Sequence, residues 1–189
     1  MQGDITAFNS YEGAPNAYVE MDFKGVNNLG TISTWLISPL LDLSTGVNGT
    51  FYTRTISAHE YADRMYVRYS TSSTIDVGNG ADTVGNFTHE LIAINPNLIR
   101  DGYPGSWTRY NIDIPAQGPG VTGYVAFHYY VTNAGLNGEN SIYIGIDSVA
   151  INKMGCVCLY QPLVVEDFNN ISTLASSGWT VEGMLDLFL

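Results

Sequence analysis

The chain has 189 residues, of which 45% are hydrophobic and 13% are charged, so it fits one domain with a sizeable buried core. Seven basic residues against 18 acidic ones give a formal net charge of −11. This balance disfavours nucleic acids and acidic membrane surfaces as partners, because phosphate groups are recognised by lysine and arginine. No apolar run reaches the roughly 20 residues that span a bilayer.

The predicted elements are almost all strands, identified by alternating apolar and polar residues and by β-branched and aromatic enrichment. Turn signals rich in Gly, Asn and Asp separate them. The stretch "HELIAINPNL" (89–98) is the only plausible helix, and Pro96 would cut it short. With no strand–helix alternation, the pattern predicts an all-β fold, an antiparallel β-sandwich of the jelly-roll type. The predicted strands cover 17–23, 49–56, 64–71, 108–115, 122–132 and 141–151.

Low charge, 20 Gly and 13 Tyr are typical of secreted β-proteins. The first ten residues have neither the basic nor the apolar region of a signal peptide, so either a signal was removed or export uses another route. We therefore predict an extracellular or cell-surface location.

The strand pattern breaks after residue 151, at "NKMGCVCLYQP". We divide the chain into a jelly-roll body (1–151), a linker (152–163) and a C-terminal tail (164–189). Cys156 and Cys158 lie in the linker and are too few for a structural zinc site. They are interpreted as small apolar residues or as an intermolecular crosslink.

Three stretches carry a resemblance to one family. "TWLISPLLDLSTG" (34–46), "GSWTRYNIDIP" (105–115) and "YIGIDSVAI" (143–151) resemble, in family order, motifs of the cleaved-adhesin and choice-of-anchor J domains. The resemblance implies an extracellular, non-catalytic jelly roll that serves as an adhesin or accessory module of bacterial surface proteins and secreted enzymes.

The sequence departs from this family at its ends. The family's opening pattern, with an acidic residue and Phe followed by Gly-Trp-Thr, corresponds here to "VVEDFNN…SSGWTVEG" in the tail (164–183). Reading the end of the chain onto its start reproduces the family's opening without an obvious gap. The first-strand segment is therefore interpreted as displaced to the C-terminus.

This displaced segment has three possible roles. It can complete its own domain, insert into a neighbouring subunit, or be the start of a second module. A domain without its first strand exposes an edge that another chain's strand can cover, and head-to-tail donation generates filaments. We favour donation to identical subunits, because the linker is longer than the short turn that self-completion needs. The alternative is a circularly permuted monomeric adhesin or carbohydrate-binding module. The residues predicted to anchor the tail are Val165, Phe168, Ile171, Leu174, Trp179, Val181, Leu187 and Phe188.

Two kinds of site are predicted. The resemblance implies a structural Ca²⁺ between Asp147 and either Glu166 or Asp167, with the alternative that Asp147 only caps a turn. Glycan recognition is a rival function, for which four rings could form a stacking platform. The alternative for these rings is core packing. They are Tyr103, Trp107, Tyr129 and Tyr130.

No catalytic residue is predicted. The histidines at 59, 89 and 128 lie in separate segments without ligand spacing, and His128 is expected to be structural. The sequence has no serine elbow, no H-E-x-x-H and no phosphate loop. We therefore do not expect an enzyme.

Overall fold

The chain is described from a computed structural model that covers residues 1–58, 60–155 and 162–183. Predictions for His59, Cys156, Cys158, Leu187 and Phe188 therefore lie outside the described residues. No helix in the described part of the chain is long and apolar enough to cross a membrane. The strands are β1 (Val19–Asp22), β2 (Gly30–Ile37), β3 (Leu41–Asp42), β4 (Val47–Thr55), β5 (Met65–Ser70), β6 (His89–Ile94), β7 (Thr108–Ile114), β8 (Thr122–Ala134), β9 (Tyr143–Lys153), β10 (Pro162–Glu166) and β11 (Thr180–Glu182).

These strands form two antiparallel sheets packed as a sandwich. The first sheet has the order β1-β9-β4-β7, and β10 also pairs with β9. The second has the order β11-β2-β8-β5-β6, with β3 on β8. The predicted all-β sandwich is confirmed, and both tail strands, β10 and β11, lie at sheet edges within their own chain.

Strand β4 shows how the sequence sets the faces of the first sheet. Its residues alternate between buried and half-buried from Val47 to Thr55, as period-two side chains require. Phe51 points into the core and meets Phe127 of β8 edge-to-face, with ring centroids 5.0 Å apart. A Cβ at Gly49 would lie 2.4 Å from the Ala150 carbonyl oxygen, so close pairing with β9 requires glycine there.

A smaller apolar cluster lies on the outer face of the second sheet. Trp35, Ile37, Phe87 and Ala126 are buried there, partly beneath the segment that contains Ile75, Val77 and Val84. The long 71–88 connection therefore contributes to the fold.

The predicted helix at 89–98 is wrong, because residues His89–Ile94 form β6. This strand pairs antiparallel with β5. Glu90 forms a 2.8 Å ion pair with Arg68, and His89 stacks on Tyr69 with ring centroids 4.5 Å apart. These cross-strand contacts outweigh the local helical preference.

Candidate functional site

The candidate site lies along one edge of β9, where two segments distant in sequence meet. β1 pairs with residues 143–146 of β9, and β10 pairs with residues 149–152 on the same edge. The opposite edge of β9 is covered by β4. We call the interval at Asp147 and Ser148, between these two partners, the seam.

Asp147 organises the seam. Its side chain is fully buried, and its Oδ2 accepts the backbone N–H groups of Tyr11 at 2.7 Å and Glu12 at 3.2 Å. Its Oδ1 accepts the N–H of Ser148 at 2.6 Å. Burial raises the pKa of Asp147 to about 6, although the hydrogen bonds from these amides act in the opposite direction. This carboxylate thus holds the 11–12 loop against the sheet.

The other two acidic residues predicted as metal ligands cap a turn at the end of β10. Glu166 Oε1 accepts the N–H of Phe168 at 3.0 Å, and burial raises the pKa of Glu166. Asp167 Oδ2 accepts from Asn169 Nδ2 at 2.6 Å. In the part of the chain that the structure describes, no three His, Cys, Asp or Glu side chains converge as a metal-binding group.

The tail is attached mainly by residues C-terminal to β10. Phe168 is fully buried, while Leu174 and Trp179 are 6% and 4% exposed. The Phe168 and Trp179 rings meet edge-to-face at 5.8 Å, and Ile171 packs partly buried against the main core.

The other two predicted anchors, Val165 and Val181, do not fill pockets. They are 68% and 45% exposed. In β10 it is Val164 that points into the core, and successive side chains of a strand point to opposite faces. Val165 therefore faces outward.

Gln2 joins the N-terminal segment to the tail. Its Nε2 donates to the Phe168 carbonyl oxygen at 2.9 Å and to that of Asn16 at 2.5 Å. Its Oε1 accepts the N–H of Ile171 at 3.0 Å. One side chain therefore bonds to the backbone on both sides of the seam.

The four rings proposed as a glycan platform do not share a surface. Tyr103 and Tyr129 are buried in the core, where desolvation raises the pKa of both hydroxyls. Trp107 packs edge-to-face on Phe8. The half-buried Tyr130 lies in β8 of the second sheet, under the Arg64 guanidinium. The burial of Tyr103 and Tyr129 favours the core-packing alternative for these two rings.

His128 has the structural environment expected from the sequence. Its ring stacks on Trp35 with centroids 3.6 Å apart, and Nε2 lies 2.9 Å from Ser33 Oγ. Burial, reinforced by the charges of Arg68 and Arg64, lowers the pKa of His128 to about 3. The ring is therefore neutral over the physiological pH range.

Sequence reasoning missed a polar groove on the outward face of the first sheet. It crosses β7, β4 and β9, and three asparagines contribute to its lining. An asparagine at an outward position on each strand was a weak signal in the sequence. The pairing register that brings these residues together was not evident there. They are Asn48, Asn111 and Asn152.

The two packed antiparallel sheets define an all-β sandwich, and comparison with a solved structure supports a cleaved-adhesin-like fold. The chain is similar to the K1 cleaved adhesin domain of Lys-gingipain from Porphyromonas gingivalis W83, with 28% identity, a TM-score of 0.55 and coverage of 81% of this chain and 82% of that one. It also matches the K3 cleaved adhesin domain of the same protein, with 23% identity, a TM-score of 0.40 and coverage of 77% and 70%. No protein-family description matches the chain, and no curated protein does.

Proposed function

We propose that this chain is a non-catalytic, adhesin-like binding module of a secreted or cell-surface protein. The observation that carries the proposal is the likeness to the K1 cleaved adhesin domain, which extends over about four fifths of both chains at 28% identity. The sequence motifs of this chain at 34–46, 105–115 and 143–151 support membership of the cleaved-adhesin and choice-of-anchor J group.

Binding of the full chain to cell surfaces tests this role. The labelled chain is added to epithelial cells and to immobilised collagen, fibronectin and laminin, with an unrelated acidic β-sandwich domain as the control. We expect saturable binding to at least one surface that the control does not bind. Absence of saturable binding to every surface would refute an adhesin-like role.

We further propose that the tail is the displaced first-strand segment of such a domain. The support is its position: β10 continues the edge that β1 begins on β9, and Phe168, Leu174 and Trp179 join the main core. A segment with these contacts behaves as part of the sandwich rather than as an appendage.

The second candidate function is self-assembly, in which the tail completes a neighbouring copy instead of its own. The support is the length of the predicted linker (152–163), together with the fact that an identical copy offers the same β9 and β2 edges. Donation in one direction would give a head-to-tail filament of identical subunits.

A disulfide between paired positions distinguishes the two arrangements. Val165 lies opposite Ala150, so cysteines introduced by Val165→Cys and Ala150→Cys can crosslink β10 to β9. The chain used also carries Cys156→Ser and Cys158→Ser, which remove its own cysteines. Self-completion predicts a crosslinked monomer on a non-reducing gel, whereas donation predicts a ladder of covalent oligomers. The single variant Val165→Cys is the matched control.

Size-exclusion chromatography and negative-stain microscopy of the full chain beside a 1–163 truncation complete this test. Filaments formed by the full chain alone would support donation, and monomers in both would exclude the filament. A truncation that loses its cooperative unfolding while the full chain remains monomeric would support self-completion.

The structural Ca²⁺ held by Asp147 with Glu166 or Asp167 stays a proposal. The carboxylate of Asp147 already accepts three backbone N–H groups, so an ion would have to share it. Thermal unfolding with added Ca²⁺ and with a chelator tests the site. Equal unfolding midpoints with Ca²⁺ and with the chelator would refute the calcium site.

A further inference from the structure

The outward face of the first sheet carries rows of polar side chains across three strands. On β4, Asn48 lies opposite Asp113 of β7 and Asn152 of β9. One row further, Thr50 lies opposite Asn111. Directly opposed residues share a face in an antiparallel pair, so these side chains line one shallow groove.

The hydrogen-bonding capacity of this groove is unused. Among the described residues, the side chains of Asn48, Asn111, Asp113 and Asn152 make no hydrogen bond to the protein, and all are half-buried or exposed. Asn95 behaves differently: its amide accepts from Ile99 N and donates to two carbonyl oxygens. The groove asparagines therefore do not have the turn-building role that Asn95 has.

A tyrosine pair lies one row beyond the asparagines. Tyr52 of β4 lies opposite Arg109 of β7, and Tyr11 stacks on Tyr52 with centroids 3.6 Å apart and an interplanar angle of 15°. Their hydroxyls are 3.0 Å apart. The Tyr11 side of the pair remains open, because this residue is 46% exposed.

The position of Tyr11 is fixed from beneath. The buried Asp147 accepts its backbone N–H at 2.7 Å and that of Glu12 at 3.2 Å. The loop that carries the ring is therefore held against the sheet by a carboxylate at the seam. A pre-positioned aromatic face loses little conformational entropy when a ligand binds to it.

We propose that this groove binds a neutral, hydroxyl-rich glycan, with the amides of Asn48, Asn111 and Asn152 bonding to sugar hydroxyls and Tyr11 stacking on a sugar ring. This inference rests on the proposed adhesin-like role and names its ligand class. Each carboxamide both donates and accepts hydrogen bonds, as a hydroxyl does, and tyrosine combines an apolar face with a polar edge.

The charge of the groove favours an uncharged ligand. The negative charge of Asp113 and the positive charge of Arg109 cancel within the groove, while the whole chain has a formal net charge of −11. An acidic glycan would be repelled by the chain as a whole. A second protein copy is also a poor match, because interface cores are apolar and aromatic and the groove is lined mainly by amide, hydroxyl and charged groups.

The test uses the full chain and an array of neutral oligosaccharides of glucose, mannose, galactose and xylose, with sialylated and sulfated glycans beside them. We expect saturable binding of at least one neutral oligosaccharide, and we measure its affinity by calorimetry. Asn111→Ala should weaken binding about tenfold, the size expected for losing one or two hydrogen bonds. The double variant Asn48→Ala with Asn111→Ala should abolish it.

A matched control removes an asparagine elsewhere. Asn97 is exposed and lies outside the groove, so Asn97→Ala should leave the affinity unchanged. Unchanged thermal unfolding of each variant would show that lost binding is not lost folding. In the unmodified chain, the NMR signals of the Asn48, Asn111 and Asn152 side-chain amides should shift on titration with the oligosaccharide.

The outcomes separate this site from the proposed function. Binding that survives the double variant, or binding of acidic glycans alone, would overturn the groove as a neutral-glycan site. Binding to cells or matrix proteins without binding to any oligosaccharide would also overturn it, while leaving the adhesin-like role intact. Failure to bind any cell, matrix protein or glycan would refute both.

Discussion

β1 and β10 cover the same edge of β9 but are attached in different ways. All four residues of β1 are buried, including Glu20 and Asp22. In β10 only Val164 is buried among five residues. β1 is therefore held along its length.

The attachment of β10 depends on residues beyond its C-terminal end. Three buried side chains between residues 168 and 179 fix the segment after the strand has ended. An edge strand with few inward side chains can thus be held by anchors outside its own hydrogen-bond ladder. The anchors are Phe168, Leu174 and Trp179.

The largest expected effect comes from removing the first anchor. Phe168→Ala should lower the free energy of unfolding by about 3–5 kcal/mol, the usual range for a fully buried phenylalanine. Val165→Ala, three residues earlier and 68% exposed, should change it by no more than about 0.5 kcal/mol. Denaturant unfolding measures both, and equal losses would mean that the strand itself, rather than the anchor, holds the tail.

A smaller effect, dependent on pH, is expected at the seam. The pKa of Asp147 rises from the ordinary 3.8 to about 6 in the folded chain, mainly through burial. The folded form thus binds this proton more readily than the unfolded chain. The resulting stability is fully present below pH 3.8 and is lost as the pH rises through about 6.

Asp147→Asn removes this titration. We subtract the free energy of unfolding of the variant from that of the unmodified chain. This difference should fall by on the order of 1–3 kcal/mol between pH 4 and pH 7. Urea unfolding at both pH values measures the difference. A difference that rises with pH would show that the amide hydrogen bonds outweigh burial at this carboxyl.

The smallest effect is expected where the side chain of Gln2 joins the N-terminal segment to the tail. Gln2→Ala removes hydrogen bonds to the backbone of Phe168, Asn16 and Ile171 and should cost about 1 kcal/mol. The matched control is Gln117→Ala, whose side-chain amide, within the described residues, bonds only to the nearby Pro115 carbonyl oxygen. A Gln2 variant as stable as this control would mean that the N-terminal segment and the tail are held independently.

The sequence predicted the fold well where alternation is regular. Strands β4, β5 and β8 lie within a few residues of their predicted bounds. β6 was missed because "HELIAI" suits a helix locally, and only pairing with β5 makes it a strand.

The site was harder to predict, because it depends on contacts between residues far apart in the sequence. Asp147 was a candidate from the sequence only as a calcium ligand, whereas its partners in the structure are the amides of Tyr11 and Glu12, which no local pattern connects to it. For Tyr103 and Tyr129 the sequence left both a surface platform and core packing open, and the packing of the two sheets places them inside.

The two tail strands have different consequences for how the chain folds during synthesis. β10 pairs with β9, its immediate predecessor, so this hairpin can form as soon as both strands have left the ribosome. β11 pairs with β2, and closing so long a loop is entropically costly and slow. β2 is therefore synthesised early, and its edge stays unpaired until Thr180–Glu182 emerges. During this long interval a chaperone or another nascent copy can occupy the edge.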